Sequence, residues 1–199
     1  MKKLIFIIAF ITIIATPQSV FNNDVGHYIS LSEVVEYERQ QVIIESYKEF
    51  KEHLGFLEST NRYDVTSPSG TFIGKYQFGY MALEDIGMIQ YYPTEFLQSP
   101  YLQEKALYKN LLKNKYYLQH TINYFEGKEI NGILITKPCI LAMAHLLGAS
   151  SVRRYLQSGG LLDLTDGNGT KISSYCEEFT DKHFVFDDIL IINIEKIHG

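Results

Sequence analysis

The 199-residue chain has no tryptophan, only two cysteines and no surplus of positive charge. Its formal net charge is −5 at pH 7 and no basic stripe runs along it. This argues against nucleic acid as a partner, because such binding depends on Lys and Arg. Histidines and cysteines do not cluster at metal-ligand spacing, so we expect no metal and no cofactor. A Gly-x-Ser-x-Gly segment is also absent from the sequence, which argues against an α/β-hydrolase.

The N-terminal residues have the order of a secretory signal peptide. Lys2 and Lys3 precede an apolar run over 4–15, and small and polar residues follow at 16–19. The run is shorter than the roughly 20 residues of a membrane span, although an uncleaved anchor is the alternative. We predict a signal peptide over 1–19, a single domain over 20–199 and a periplasmic or secreted location, with no membrane attachment after cleavage. Loss of Lys2 and Lys3 takes the net charge from −5 to −7.

The remaining chain is typical of a globular domain, with 46% hydrophobic and 21% charged residues. Apolar spacing predicts helices at 31–57, 76–86, 101–124, 139–147, 150–156 and 172–180. Ser30 and Glu33 have capping-box spacing, and Gly148 is predicted to end the apolar helix that starts near Pro138. Residues 61–75 are predicted as a loop or short β-ribbon, and 184–197 as a strand or packed tail. The predicted fold class is mainly α (α+β), with a small β or loop excursion after the first long helix.

A candidate acid, Glu58, stands at the end of that first helix. Its apolar neighbours disfavour the ionised carboxylate, which raises the pKa and lets the group hold a proton near neutral pH. A glutamate at a helix end is by itself more often a solvated surface residue. The neighbouring motifs therefore decide how Glu58 is interpreted.

Glu58-Ser59 is followed by Gly-Lys-Tyr-Gln at 74–77, and Ala-His-Leu-Leu-Gly stands at 144–148. The first pair of motifs resembles the Glu-Ser and Gly-Leu-Met-Gln motifs of lytic transglycosylases and goose-type lysozymes. The third resembles the Ala-Tyr-Asn-Ala-Gly segment of the same lysozyme-like superfamily. The resemblance covers about residues 45–180, and its specificity lies in the ordered combination of short motifs.

The resemblance implies a lysozyme-like fold and an enzyme that cleaves peptidoglycan glycan strands between N-acetylmuramic acid and N-acetylglucosamine. Glu58 would protonate the glycosidic oxygen and then take the proton of the sugar's own 6-hydroxyl, which leaves a 1,6-anhydro end. The substrate-contacting residues that it implies are Ser59, Gly74, Tyr76, Gln77, His145 and Tyr175.

His145 departs from the family, which usually has Tyr at this place. A neutral ring still donates a hydrogen bond, whereas a charged ring would stabilise the ionised form of Glu58 and make it a poorer acid. A satisfied core histidine is the alternative interpretation. Lys75 and Tyr76 also replace an apolar pair of the family.

Two other functions stay open. A hydrolytic muramidase of the same fold needs a second carboxylate, for which Asp64 and Asp85 are the nearest candidates. A non-catalytic glycan-binding or scaffold protein that kept the fold is the second alternative.

Two local features also stay open. Cys139 and Cys176 form either a disulfide or two buried thiols, since export permits both. The segment that begins at Asp166 is either a turn or a calcium loop, and Lys171 occupies the position where a calcium loop requires glycine.

Overall fold

The fold is known from a computed structural model, which describes residues 30–181. Residues 1–37 and 38–199 form two units, and the described part of the first is the beginning of one helix. The predicted signal peptide at 1–19 and the predicted strand or tail at 184–197 lie outside the described residues.

Helices make up most of residues 30–181, so the mainly helical class is confirmed. The α-helices are α1 (Leu31–Ser59), α2 (Tyr80–Asp85), α3 (Thr94–Gln98), α4 (Pro100–Phe125), α5 (Lys137–Gln157) and α6 (Ile172–Thr180). A 3-10 helix at Ile89–Tyr91 lies between α2 and α3.

Two small antiparallel sheets complete the described fold. In the first sheet, β1 (Phe72–Ile73) pairs with β2 (Phe78–Gly79), and Phe72 lies opposite Gly79. In the second, β3 (Glu129–Ile130) pairs with β4 (Ile133–Leu134). The first sheet is the predicted β excursion after α1.

Helix starts follow the capping residues of the sequence. The Ser30 amide donates to Glu33 Oε2 at 2.7 Å and the Glu33 amide donates to Ser30 Oγ at 3.2 Å, which is the predicted capping box. Thr136 Oγ1 accepts from the Cys139 amide at the start of α5, and Pro138 lies in the first turn, where its missing N–H costs nothing.

The structure differs from the predicted elements in three places. The predicted helix at 76–86 begins only at Tyr80, because Phe78 and Gly79 pair with β1 instead. The polar region around Gly127 and Gly132 holds the β3–β4 hairpin, which was predicted only as a turn. Helix α3 and the 3-10 helix were not predicted at all.

Gly148 interrupts α5 as predicted, with a left-handed φ of 77° and an extended ψ of 161°. The helix resumes directly after it. The first half of α5 is buried on all sides from Pro138 to Ala144, which confirms the predicted central helix. Helices α4 and α6 pack against α5.

A disulfide joins α5 to α6. Cys139 and Cys176 are both fully buried and bonded to each other, which settles the alternative left open by the sequence. Aromatic packing joins α6 to α1, since the rings of Phe50 and Phe179 lie 4.9 Å apart. The disulfide thus fixes α6 to α5, and the aromatic contact fixes it to α1.

No helix within residues 30–181 combines the length and the apolar character that crossing a membrane requires.

Replacing both cysteines, Cys139→Ala with Cys176→Ala, should lower the free energy of unfolding by about 2–4 kcal/mol. The disulfide closes a loop with a sequence separation of 37, and its loss frees the unfolded chain. Urea denaturation of the oxidised parent and the double variant measures the difference. Equal midpoints and slopes would contradict the predicted stabilisation.

Candidate functional site

The site is built at the point where α1 ends. Thr60 and Asn61 both have left-handed backbone conformations, with φ of 57° and 62°. Their amides donate to the carbonyls of Phe56 and Gly55 at 3.0 Å, which closes the last turn. Because a β-branched residue such as Thr60 rarely adopts this conformation, the sharp stop after Ser59 carries backbone strain.

Glu58 lies in this last turn, and its side chain is 14% exposed. Tyr175 of α6 donates a hydrogen bond from its hydroxyl to Glu58 Oε1 at 2.6 Å. His145 of α5 places Nε2 at 3.8 Å from the same oxygen. The side chains of His145 and Tyr175, which follow Glu58 by 87 and 117 positions in the sequence, therefore both approach Oε1.

Burial raises the pKa of Glu58 above its usual value, and it is the largest of the causes acting on this group. A protonated His145 ring and the Tyr175 hydrogen bond act in the opposite direction, while the negative charge of Asp166 adds to the increase. The carbonyls at the end of α1 carry partial negative charge, which further disfavours a carboxylate there. The net direction is the one that a general acid requires.

The hydrogen bonds of His145 assign its tautomer. Nε2 lies 2.9 Å from the Tyr76 carbonyl, which only accepts, so Nε2 carries the hydrogen. Nδ1 is buried and has no hydrogen-bond partner among residues 30–181. A second proton on Nδ1 would be an unsatisfied buried donor, so this geometry fits the neutral ring. Phe78 packs edge-on against the ring at 5.3 Å.

Ser59 ties the end of α1 to the segment 74–77. Its hydroxyl donates to the Lys75 carbonyl at 2.8 Å and accepts from the Arg62 amide at 3.0 Å. Of the two roles expected for Ser59, contact with substrate or ordering of the site, these bonds support the second.

Gly74 and Gln77 close a tight turn in that segment. Gln77 donates to the Gly74 carbonyl from its amide at 3.1 Å and from Nε2 at 2.8 Å. Gly74 has a φ of 79°, and a Cβ there would lie 2.3 Å from Gln103 Oε1. Only glycine fits at position 74, because it tolerates the left-handed backbone and has no Cβ that would clash with Gln103. Its close approach is to Gln103 of α4 rather than to open groove space.

Tyr76 requires a correction. Its side chain was predicted to contact substrate, but it is fully buried and donates to Glu104 Oε1 at 2.7 Å. Its hydroxyl completes the core rather than a groove wall, and only its backbone carbonyl faces the site, through His145. We therefore leave Tyr76 out of the substrate-contacting set.

Sequence reasoning missed two residues of α4 that hold the site together. Gln103 is fully buried, accepts from the Lys75 amide at 2.7 Å and donates to the carbonyls of Tyr63 and Phe96. Glu104 is 2% exposed. Their signal is positional: in the sequence both lie between Leu102 and Ala106, two residues of the apolar side of α4.

The two residues expected as candidates for a second carboxylate, Asp64 and Asp85, both lie at the surface. Asp64 is exposed in the loop after α1. Asp85 is exposed and forms an ion pair with Lys113. Asp166, which the sequence does not single out as a second acid, is half-buried in the α5–α6 loop, and its negative charge contributes to the raised pKa of Glu58. The fold of the α5–α6 loop, rather than any local pattern, brings this charge near Glu58.

The Asp166 segment forms a turn. Oδ1 of Asp166 accepts from the amides of Asn168 at 2.9 Å and Thr170 at 2.7 Å, and Thr165 pairs with Lys171 across the loop. No group of three or more His, Cys, Asp or Glu side chains in residues 30–181 is arranged to hold a metal ion.

Comparison with known proteins identifies no relative, since no family model, no curated protein and no solved structure matches the chain. The interpretation of this site therefore depends on its residues and their geometry.

Glu58→Gln should make the protein relatively more stable as the pH rises. A carboxyl whose pKa is raised on folding stabilises the fold fully below its unfolded pKa, and this contribution is lost as the pH rises through the folded pKa. Glutamine keeps its neutral form throughout. The stability difference should grow by about 1.4 kcal/mol for each unit by which folding raises the pKa. Urea denaturation from pH 4 upward measures it.

The control for this series is Glu84→Gln, the same substitution at an exposed position. If the stability difference for Glu58→Gln changed with pH no more than that for Glu84→Gln, burial would not raise the pKa of Glu58.

Tyr175→Phe should raise the pKa of Glu58 further, because the ionised carboxylate loses a donor at 2.6 Å. A hydrogen bond to a charged group contributes about 1.5–3 kcal/mol. Carbon-13 NMR titration of labelled glutamate side chains measures the change. Tyr155→Phe is the control, since the Tyr155 hydroxyl is buried without a hydrogen-bond partner among residues 30–181. An equal Glu58 pKa in both variants would overturn the prediction.

Proposed function

We propose that the protein is a secreted or periplasmic lytic transglycosylase that cleaves peptidoglycan between N-acetylmuramic acid and N-acetylglucosamine, and that its domain has the lysozyme-like fold. One observation carries the proposal: a largely buried glutamate at a helix end, with a raised pKa, held by Tyr175 and beside His145. The ordered motifs around Glu58, Gln77 and His145 support it.

The proposed reaction needs one carboxyl group in two successive roles. The Glu58 carboxyl donates its proton to the glycosidic oxygen as the bond between that oxygen and C1 of the muramic acid breaks. The resulting carboxylate then removes the proton of the same sugar's 6-hydroxyl, and that oxygen bonds to C1. Water is not consumed, and Glu58 regains its proton.

The surroundings of Glu58 suit both roles. Tyr175 holds Oε1, so the proton that is donated and regained lies on Oε2. A neutral His145 leaves the acid form of Glu58 favoured, whereas an imidazolium at 3.8 Å would stabilise the carboxylate. Burial keeps the carboxylate reactive as a base once the first proton has been donated.

A hydrolytic muramidase is the second candidate, and the effect of Asp166 on Glu58 favours it. The negative charge of Asp166 contributes to the raised pKa of Glu58, while Asp64 and Asp85 are exposed. A hydrolase would use such a second carboxylate to activate water or to bond to the sugar. Two backbone amides already occupy Asp166 Oδ1, which supports a structural role for this side chain instead.

Mass spectrometry of muropeptides released from purified peptidoglycan tests the proposal. The expected products carry 1,6-anhydro-muramyl ends and are lighter by one water than reducing ends. Glu58→Gln should abolish release, and Asp166→Asn should retain it, because only Glu58 transfers a proton. The stability series above shows whether the Glu58→Gln protein is folded.

Other products would identify the alternatives. If the parent released products with reducing ends and the Asp166→Asn variant released none, the protein would be a muramidase with two carboxylates. Binding to peptidoglycan without release of any product would make it a glycan-binding or scaffold protein.

A further inference from the structure

A cluster of buried polar side chains occupies the space behind the site, centred on the Glu104 carboxylate of α4. Oε1 accepts hydrogen bonds from the hydroxyls of Tyr63 at 2.6 Å and Tyr76 at 2.7 Å. Oε2 accepts from Lys51 Nζ of α1 at 3.0 Å. Lys75 Nζ lies 3.5 Å from Oε1. We call these five residues the Glu104 cluster.

Glu104 is ionised within this cluster. Burial alone would raise its pKa, but Lys51, the two tyrosine hydroxyls and Lys75 together hold the pKa below its usual value. Two buried ammonium groups therefore face one buried carboxylate. The second ammonium, on Lys75, is also paired with the half-exposed Glu52 at 2.6 Å. Such a cluster is expensive to desolvate and adds little net stability over an apolar core.

The path of Lys75 crosses α1 at Gly55. A Cβ at Gly55 would lie 2.6 Å from Lys75 Cε and 2.9 Å from Cγ, so the missing side chain provides the slot in which Lys75 lies. The ammonium then reaches Glu52 on α1, Tyr63 in the following loop at 3.4 Å and Glu104 on α4. One side chain thus links three parts of the fold.

The backbone carbonyls of Lys75 and Tyr76 connect the Glu104 cluster to the site through hydrogen bonds. The Lys75 carbonyl accepts from Ser59, next to Glu58, and the Tyr76 carbonyl accepts from His145 at 2.9 Å. Both carbonyls belong to residues whose side chains end in the Glu104 cluster. A shift of either residue would therefore change where Ser59 and His145 stand relative to Glu58.

We propose that Lys75 is a positioning residue, which fixes the Tyr76 carbonyl and through it the hydrogen-bonded ring of His145 beside Glu58. The expected effect on activity rests on the proposed function, whereas the expected effect on the His145 ring does not. Lys75 itself stays buried behind the site and meets no substrate.

Lys75→Met tests the proposal, because methionine keeps the length of the side chain and loses its charge. Lys51→Met is the matched control: it removes the other buried ammonium of Glu104, but Lys51 is not part of the segment 74–77. We expect Lys75→Met to lower kcat by about tenfold or more with little change of KM, since a displacement of ~1 Å can cost about 100-fold. Lys51→Met should leave kcat within about threefold of the parent.

Nitrogen-15 NMR of the histidine rings provides the readout that is independent of activity. The Nε2–H signal of His145 should shift or broaden in Lys75→Met and stay unchanged in Lys51→Met. Should Lys75→Met fail to fold, Lys75→Gln removes the same charge with a polar side chain, and it should produce the same ring shift. The proposal is overturned if the ring signal is unchanged in the folded Lys75 variant, or if Lys51→Met changes it equally.

These readouts separate the two proposals. If the parent releases no muropeptides but the ring signal responds to Lys75 alone, the proposed function fails and the positioning by Lys75 stands. If the parent is active and Lys75→Met alters neither kcat nor the ring signal, the positioning fails and the function stands.

Discussion

The stop of α1 after Ser59 is the constraint on which the rest of the site depends. A helix that continued for one more turn would carry Thr60 and Asn61 into the space where the chain now turns back toward Lys75. The two left-handed residues cost conformational energy, and the amide bonds to Phe56 and Gly55 offset part of it. What the stop provides is a carboxyl group at a helix end, partly removed from water, with room for two other helices to reach it.

Those two helices reach Glu58 because they are fixed to each other. The disulfide joins α5 near its start to α6, and the residue before Cys176 is Tyr175. His145 follows Cys139 by about one and two-thirds turns of α5. The covalent bond, the packing of Phe179 on Phe50 and the hydrogen bond of Tyr175 therefore act on one short helix of nine residues. Because α6 is too short to be stable alone, its place at the site comes from these contacts.

The sequence predicts those features that depend on residues close together in the chain. The spacing of apolar residues predicted α1, α4 and α6 closely, and capping residues marked the start of α1. Glu58 can be identified as a candidate acid from the sequence, since it stands at the end of a predicted helix and Ser59 and the segment 74–77 follow it closely.

Long-range contacts were not accessible in the same way. The resemblance implied a substrate contact for Tyr76, but its hydroxyl donates to Glu104, 28 positions away. Gln103 and Glu104 were missed because polar residues on a helix are usually solvated. Asp166 was missed because only the folded α5–α6 loop brings its charge near Glu58.

The Glu104 cluster explains how two polar side chains, those of Lys75 and Tyr76, can be buried side by side. An apolar pair would fill the same space with less desolvation, and buried ion clusters of this kind are often no more stable than their apolar replacements. Hydrogen bonds depend on direction, however, whereas apolar contacts do not. Each side chain of the cluster is therefore confined to a narrow range of positions. The carbonyls of Lys75 and Tyr76 accept hydrogen bonds from Ser59 and His145 within 3 Å. Such bonds require this segment to be held in one orientation, which matters more here than added stability. The polar pair of Lys75 and Tyr76 therefore fixes the segment beside the candidate acid through directional hydrogen bonds and not through packing alone.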